Sequence, residues 1–209
     1  ELYFTVSIPA PVAPGGVAVG LQHWLKADNA AITTANGAAM ANWPDASPYA
    51  RTMNKFTTNG PAYQTNVINF NPSVYFDGVN YFGKNLSNAT HTFTNGLTGG
   101  DVFGMVKSLT KTENRGFPWD YGSASRGNHF TWSDNNIYDG FATNSRIGYN
   151  PETSYTYKFS ALDWNIYNTF SAPGTFGINA NGNAVTSRTT NTVDFTLYVN
   201  GVLIGAEGS

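Results

Sequence analysis

Seven Asn-Gly or Asp-Gly dipeptides punctuate the chain from one end to the other: Asn36-Gly37, Asn59-Gly60, Asp77-Gly78, Asn95-Gly96, Asp139-Gly140, Asn181-Gly182 and Asn200-Gly201. Asn, Asp and Gly tolerate the positive φ that tight two-residue hairpin turns demand, so this pattern predicts antiparallel strands joined by short turns. The 209 residues suit one large β-sandwich. Hydrophobic residues make up 41%, aromatics 15% and charged residues only 11%, so there is ample apolar surface for a core and no signature of disorder.

Between the turns lie strand-length runs. From Val193 to Val199 the alternation is clean, with Val193, Phe195, Leu197 and Val199 on one face. Asp163 to Phe170 alternates in the same way, Trp164, Ile166 and Phe170 opposing Asn165, Tyr167 and Thr169, and its apolar face is expected to be the buried one. Val102 to Val106 is apolar on both faces and reads as an interior strand. Helical signal is confined to the Ala-rich stretch Asn29 to Asn42, which Gly37 interrupts. Pro9, Pro11 and Pro14 predict an extended connector, so residues 1–14 read as the end of a preceding module with its linker, and 15–209 as the main domain. Regular short strands of this kind favour a sandwich.

Several functions are disfavoured. With 11 Lys and Arg against 13 Asp and Glu, the chain has no cationic surplus for nucleic acid. No cysteine is present, which removes disulfides, thiolate zinc sites and cysteine nucleophiles. No apolar run reaches the length of a membrane-spanning helix, so direct membrane insertion is not expected, and residues 1–14 lack the form of a signal peptide. His23, His91 and His129 are scattered and fit no H-E-x-x-H pattern; each is expected to be structural. Neither a nucleophile elbow nor a phosphate-binding loop occurs.

What remains is a local crowding of rings with amides and carboxylates. Phe117, Trp119, Tyr121, Phe130, Trp132, Tyr138 and Phe141 fall in one segment rich in Gly and Asn. Sugar C–H faces stack on such rings while amides and carboxylates bond the hydroxyls, so this mixture suits carbohydrate. Trp119, Tyr121, Trp132 and Tyr138 are the candidate platforms, and Asn136 a candidate polar partner. Asp134, Asn136 and Asp139 in one set, and Asp77 with Asn80 in another, offer oxygens of the kind calcium accepts in irregular loops, which makes Ca2+ the candidate ion. The same Asp and Asn residues equally serve as turn formers, and half of the rings are expected in the core.

The residues Pro14-Gly15-Gly16-Val17, Gly20-Leu21-Gln22-His23-Trp24-Leu25-Lys26-Ala27-Asp28, Trp43-Pro44-Asp45-Ala46-Ser47 and Ile68 through Phe76-Asp77-Gly78 resemble the concanavalin A-like lectin and glucanase superfamily. The likeness is to its LamG-like form, found in surface proteins of Bacteroidetes-type bacteria. Asn165 to Ala172 and Leu203-Ile204-Gly205 look like its middle and late strands. The resemblance implies an all-β, antiparallel jelly-roll β-sandwich. Relatives follow the Trp-Asp-Ser turn with Gly-Asn-Gly, where Pro48-Tyr49 stands here, and they continue past the late strand, so the domain is expected to lack its last strands. The family's glucanases carry a Glu-x-Asp-x-x-Glu run, absent here, so the resemblance implies a non-catalytic module. It points to an extracellular or cell-surface adhesion module that partners a glycan or surface polysaccharide and the flanking domains of a longer polypeptide. Two rivals stay open: a structural spacer or assembly domain with no glycan site, and a glycoside hydrolase with an atypical carboxylate pair.

Overall fold

A computed structural model describes residues 13–84, 97–111, 127–153, 156–195 and 202–205. Among them run thirteen strands: β1 (Asn42–Trp43), β2 (Met53–Lys55), β3 (Ala62–Ile68), β4 (Asn71–Tyr75), β5 (Phe82–Lys84), β6 (Gly100–Val106), β7 (Asn128–His129), β8 (Ile137–Asp139), β9 (Ile147–Tyr149), β10 (Asn165–Ala172), β11 (Thr175–Ala180), β12 (Asn183–Arg188) and β13 (Val202–Ile204). All pairings are antiparallel. One sheet has the order β1-β2-β5-β13 and another β12-β11-β10-β6, joined by the small sheet β7-β8-β9 and the hairpin β3-β4. The core lies between these layers: Met53, Phe82 and Val202 come from the first sheet, Tyr167, Phe176 and Ile178 from the second, and Ile137 and Tyr149 from the small one. The chain is therefore an antiparallel β-sandwich. The proposed boundary near residue 14 rests largely on residues 1–12, which lie outside the described residues.

No α-helix forms among the described residues. The Ala-rich stretch 29–42 is turn and bridge instead, because its backbone groups bond elsewhere: Gly37 N–H donates to Tyr63 O at 2.7 Å, and Tyr63 N–H donates back to Ala38 O at 2.9 Å. Gly37 has φ +77°, outside any helix. The turn dipeptides divide into those that make hairpins and those that do not. Asn181-Gly182 joins β11 to β12, with Ala180 opposite Asn183 and φ of 51° and 80°. Asp77-Gly78 makes a side-chain-capped turn, Asp77 Oδ1 accepting from Val79 N–H and Asn80 N–H. Asp139 instead ends strand β8 and is buried, and Gly60 is needed for contact, since a Cβ there would sit 1.7 Å from Met40 O. Asn95-Gly96 and Asn200-Gly201 lie outside the described residues, as does most of the Val193–Val199 run.

Two strand expectations are overturned. In β10 Asn165, Tyr167, Thr169 and Ser171 are buried, joined from the other face by Asn168, while Ile166 is 51% exposed. The reason is that the polar set is hydrogen-bonded inside: Asn165 Nδ2 donates to Ser160 O and Asp163 O, and Ser171 Oγ to Ala142 O. Strand β6, expected in the interior, pairs with β10 and among the described residues with no other strand, and it turns Phe103 and Met105 outward beside Ile166.

The Trp-Asp-Ser turn works through one buried carboxylate. Asp45 accepts from Trp24 N–H, Ser47 N–H, Ser47 Oγ–H and Arg51 N–H, all within 2.8 Å. Burial alone raises its pKa, but these donors outweigh burial and hold it below the ordinary value. Trp43 Nε1 adds a bond to Lys26 O, so the first described loop is stitched to the strand region by 43–51.

Candidate functional site

Strands β7, β8 and β9 place His129, Tyr138 and Gly148 side by side, since His129 pairs with Tyr138 and Tyr138 with Gly148. Gly148 matters for close approach. A Cβ there would lie 2.3 Å from the Tyr138 ring, so only glycine lets that ring rest across the strand. On the other flank, His129 and Trp132 bring their rings to 4.6 Å between centroids, and His129 meets Tyr138 edge-on at 6.2 Å.

The turn linking β7 to β8 supplies the polar part. Asn135 N–H donates to Trp132 O and Trp132 N–H to Asn136 O, a closed turn in which Asn135 takes φ +64°. Across it, Asp134 Oδ1 accepts from Asn136 N–H at 3.0 Å, and Oδ2 accepts from Asn136 Nδ2 at 3.0 Å and from Tyr138 Oη–H at 2.7 Å. These donors outweigh desolvation, the largest opposing cause, and hold the Asp134 carboxyl below its ordinary pKa. Arg146 stands over the Tyr138 ring at 4.8 Å. Among the described residues its donors make no hydrogen bond or ion pair, and Arg146 is exposed, a cationic fork beside the rings. Trp132, Asn136 and Tyr138 are half-buried and Asp134 is exposed, so the cluster is reachable from outside.

The proposed ligand set does not gather at one point. Asp139 follows Tyr138 in β8 and so faces the opposite side, into the core. There it is completely buried, accepting from Asn128 Nδ2 at 2.7 Å, Tyr167 Oη–H at 3.2 Å and Phe141 N–H at 3.0 Å. Burial is the main influence on it and pushes its pKa up to about 6. Asp134 and Asp139 therefore neither share an ion nor flank one glycosidic bond. Asp77 is engaged in its own turn with Asn80, whose Nδ2 donates to Asp77 Oδ2 at 2.8 Å. Among the described residues, no three His, Asp or Glu side chains converge as a metal cluster. Trp119 and Tyr121 lie outside the described residues.

Four sequence candidates thus meet in one cluster, Trp132, Asp134, Asn136 and Tyr138. Three contributors were not picked out for the site: His129, read as structural, and Arg146 and Gly148, which strand register alone brings to Tyr138. A Gly placed opposite a candidate ring would have been the signal, had the register been known.

No family model matches this chain, and no curated protein does. Among solved structures, an HCR/D mutant crystal structure is similar, with a TM-score of 0.44 and 14% identity over 82% of this chain and 43% of that one. The chain thus spans less than half the length of that structure. The sandwich itself is defined by the strand pairings given above.

Proposed function

We propose that the chain is a non-catalytic carbohydrate-binding module of LamG-like, concanavalin A-like type, working outside the bacterial cell as part of a longer adhesin. The observation that carries this reading is the convergence of Trp132, Asp134, Asn136 and Tyr138, chosen for sugar chemistry, into one solvent-facing cluster. In the proposed complex the apolar face of a sugar lies on the Tyr138 and Trp132 rings. Asp134 accepts from a hydroxyl with the lone pairs its internal donors leave, and Asn136 and Arg146 donate to others. Because Asn136 and Tyr138 already hold Asp134, the reading assigns that carboxylate to sugar hydroxyls rather than to calcium. A shallow site of this size binds weakly, so surface attachment depends on many copies.

The test is a glycan array with the chain made multivalent, run with calcium and with chelator, alongside Tyr138→Ala and Trp132→Ala. Selective binding that survives chelator and is lost in both variants is expected. Binding lost in chelator reassigns the polar part to calcium. A folded protein that retains no glycan gives the role to a structural spacer.

A further inference from the structure

Phe70 occupies a position where an aromatic side chain works against the fold. Ile68 pairs with Asn71, so Asn69 and Phe70 form a two-residue hairpin turn, and their φ values are 46° and 64°. The second position of such a turn favours glycine, and a bulky L-residue is strained there. Among the described residues nothing offsets that strain, because Phe70 is 90% exposed and stacks on no other ring there. The base of the hairpin is anchored on the core by Tyr63 and Val74, whereas Thr65, Asn66, Val67, Asn69, Phe70 and Asn71 face solvent. From Phe56 to Phe76 the sequence carries no charged residue.

A ring displayed against the preference of its own backbone calls for a partner, and the shape of the tip restricts which. A small ligand needs a concave site that buries most of its surface, and this tip is convex. A protein partner would have to supply the entire pocket. A lipid interface is fluid and closes around a protrusion of any shape, and the hairpin itself, uncharged from Phe56 to Phe76, brings no charged side chain to dehydrate with the ring. We infer that the β3–β4 tip seats Phe70, with Val67 beside it, in the interfacial region of a zwitterionic lipid surface. The expectation of no direct membrane insertion concerned spanning helices; a tip that lies in the interface needs no long apolar run. One phenyl ring contributes a partition of about tenfold to a hundredfold, so binding becomes measurable when several copies act together.

The experiment is flotation of the full chain, biotinylated and tetramerised on streptavidin, with phosphatidylcholine vesicles, with or without phosphatidylserine. Wild type is expected to float with both. Phe70→Trp is expected to float as well, its added emission shifting to the blue over the background of the native tryptophans. Phe70→Gly is expected to lose about tenfold or more of the bound fraction, while melting at a higher temperature than wild type, because glycine relieves the turn. The proposal is overturned if wild type stays in solution, if flotation requires phosphatidylserine, if Phe70→Gly floats like wild type, or if that variant melts lower. A Phe70-dependent dimer without vesicles also overturns it and assigns the ring to a second copy.

Discussion

Asp45 shows how much one side chain can hold. It is buried, and its two oxygens accept from the backbones of Trp24, Ser47 and Arg51, three points spread over 28 positions of sequence. Asp45→Ala leaves those donors without acceptors, and unfolding by denaturant is expected to show a loss of about 2–4 kcal/mol. The pH dependence has a definite sign. The folded pKa is depressed, so the stabilisation is present above the ordinary carboxylate value and is lost as pH falls through the folded one. Gly148 is the second such residue, with a different consequence. Its exposed strand position tolerates alanine locally, but the added methyl evicts the Tyr138 ring from the strand. Gly148→Ala should therefore weaken glycan retention by about tenfold or more, while its melting temperature stays within a few degrees of wild type; equal retention would remove Tyr138 from the site.

At the scale of elements, sequence alternation gave the period of β10 and not its orientation. Alternation separates two faces, and the rule that the apolar one goes inside fails when the polar one finds hydrogen-bond partners once buried. Asn165, Tyr167, Thr169 and Ser171 meet that condition, and Ile166 with Phe103 and Met105 is left on the outer face. The two faces should respond oppositely. Ile166→Thr is expected to change stability by less than about 0.5 kcal/mol. Tyr167→Phe, which deprives Asp139 of a donor and Tyr149 Oη–H of an acceptor, is expected to cost about 1–3 kcal/mol. Turns were legible where residue and conformation agree, as at Asn181-Gly182. They were invisible at Asn69-Phe70, where a residue that disfavours positive φ adopts it. The candidate site follows the same division. Trp132, Asp134, Asn136 and Tyr138 lie within seven consecutive positions, so local reading found them, whereas Arg146 and Gly148 join through pairing that composition does not encode.

For the whole molecule, the decisive group is Asp139, because it sits where the small sheet meets β10. Its carboxylate is enclosed by Asn128 from β7, Tyr167 from β10 and the Phe141 backbone, and no cation approaches it among its bonded partners. Burial raises its pKa from 3.8 to about 6, so the folded chain holds a proton that the unfolded chain has released. Between those two values the native state binds more protons than the unfolded state, and stability falls as pH rises. Below about pH 4 the protonated form suits the site, and Asn128 Oδ1, which is buried without a partner, is an acceptor for the acid's O–H once the amide turns over. Above about pH 6 the layers close around a buried negative charge that has hydrogen-bond donors but no cation among its bonded partners. A shift of that size corresponds to a loss on the order of 2–3 kcal/mol across the interval. Asp139→Asn keeps the shape, cannot ionise, and supplies an N–H to the same Asn128 oxygen. Its stability relative to wild type, followed by denaturant unfolding from pH 4 to pH 8, is expected to rise along a sigmoid centred between 4 and 6 and then level off. A constant difference across that range would show that Asp139 titrates in the folded protein as it does in the unfolded chain.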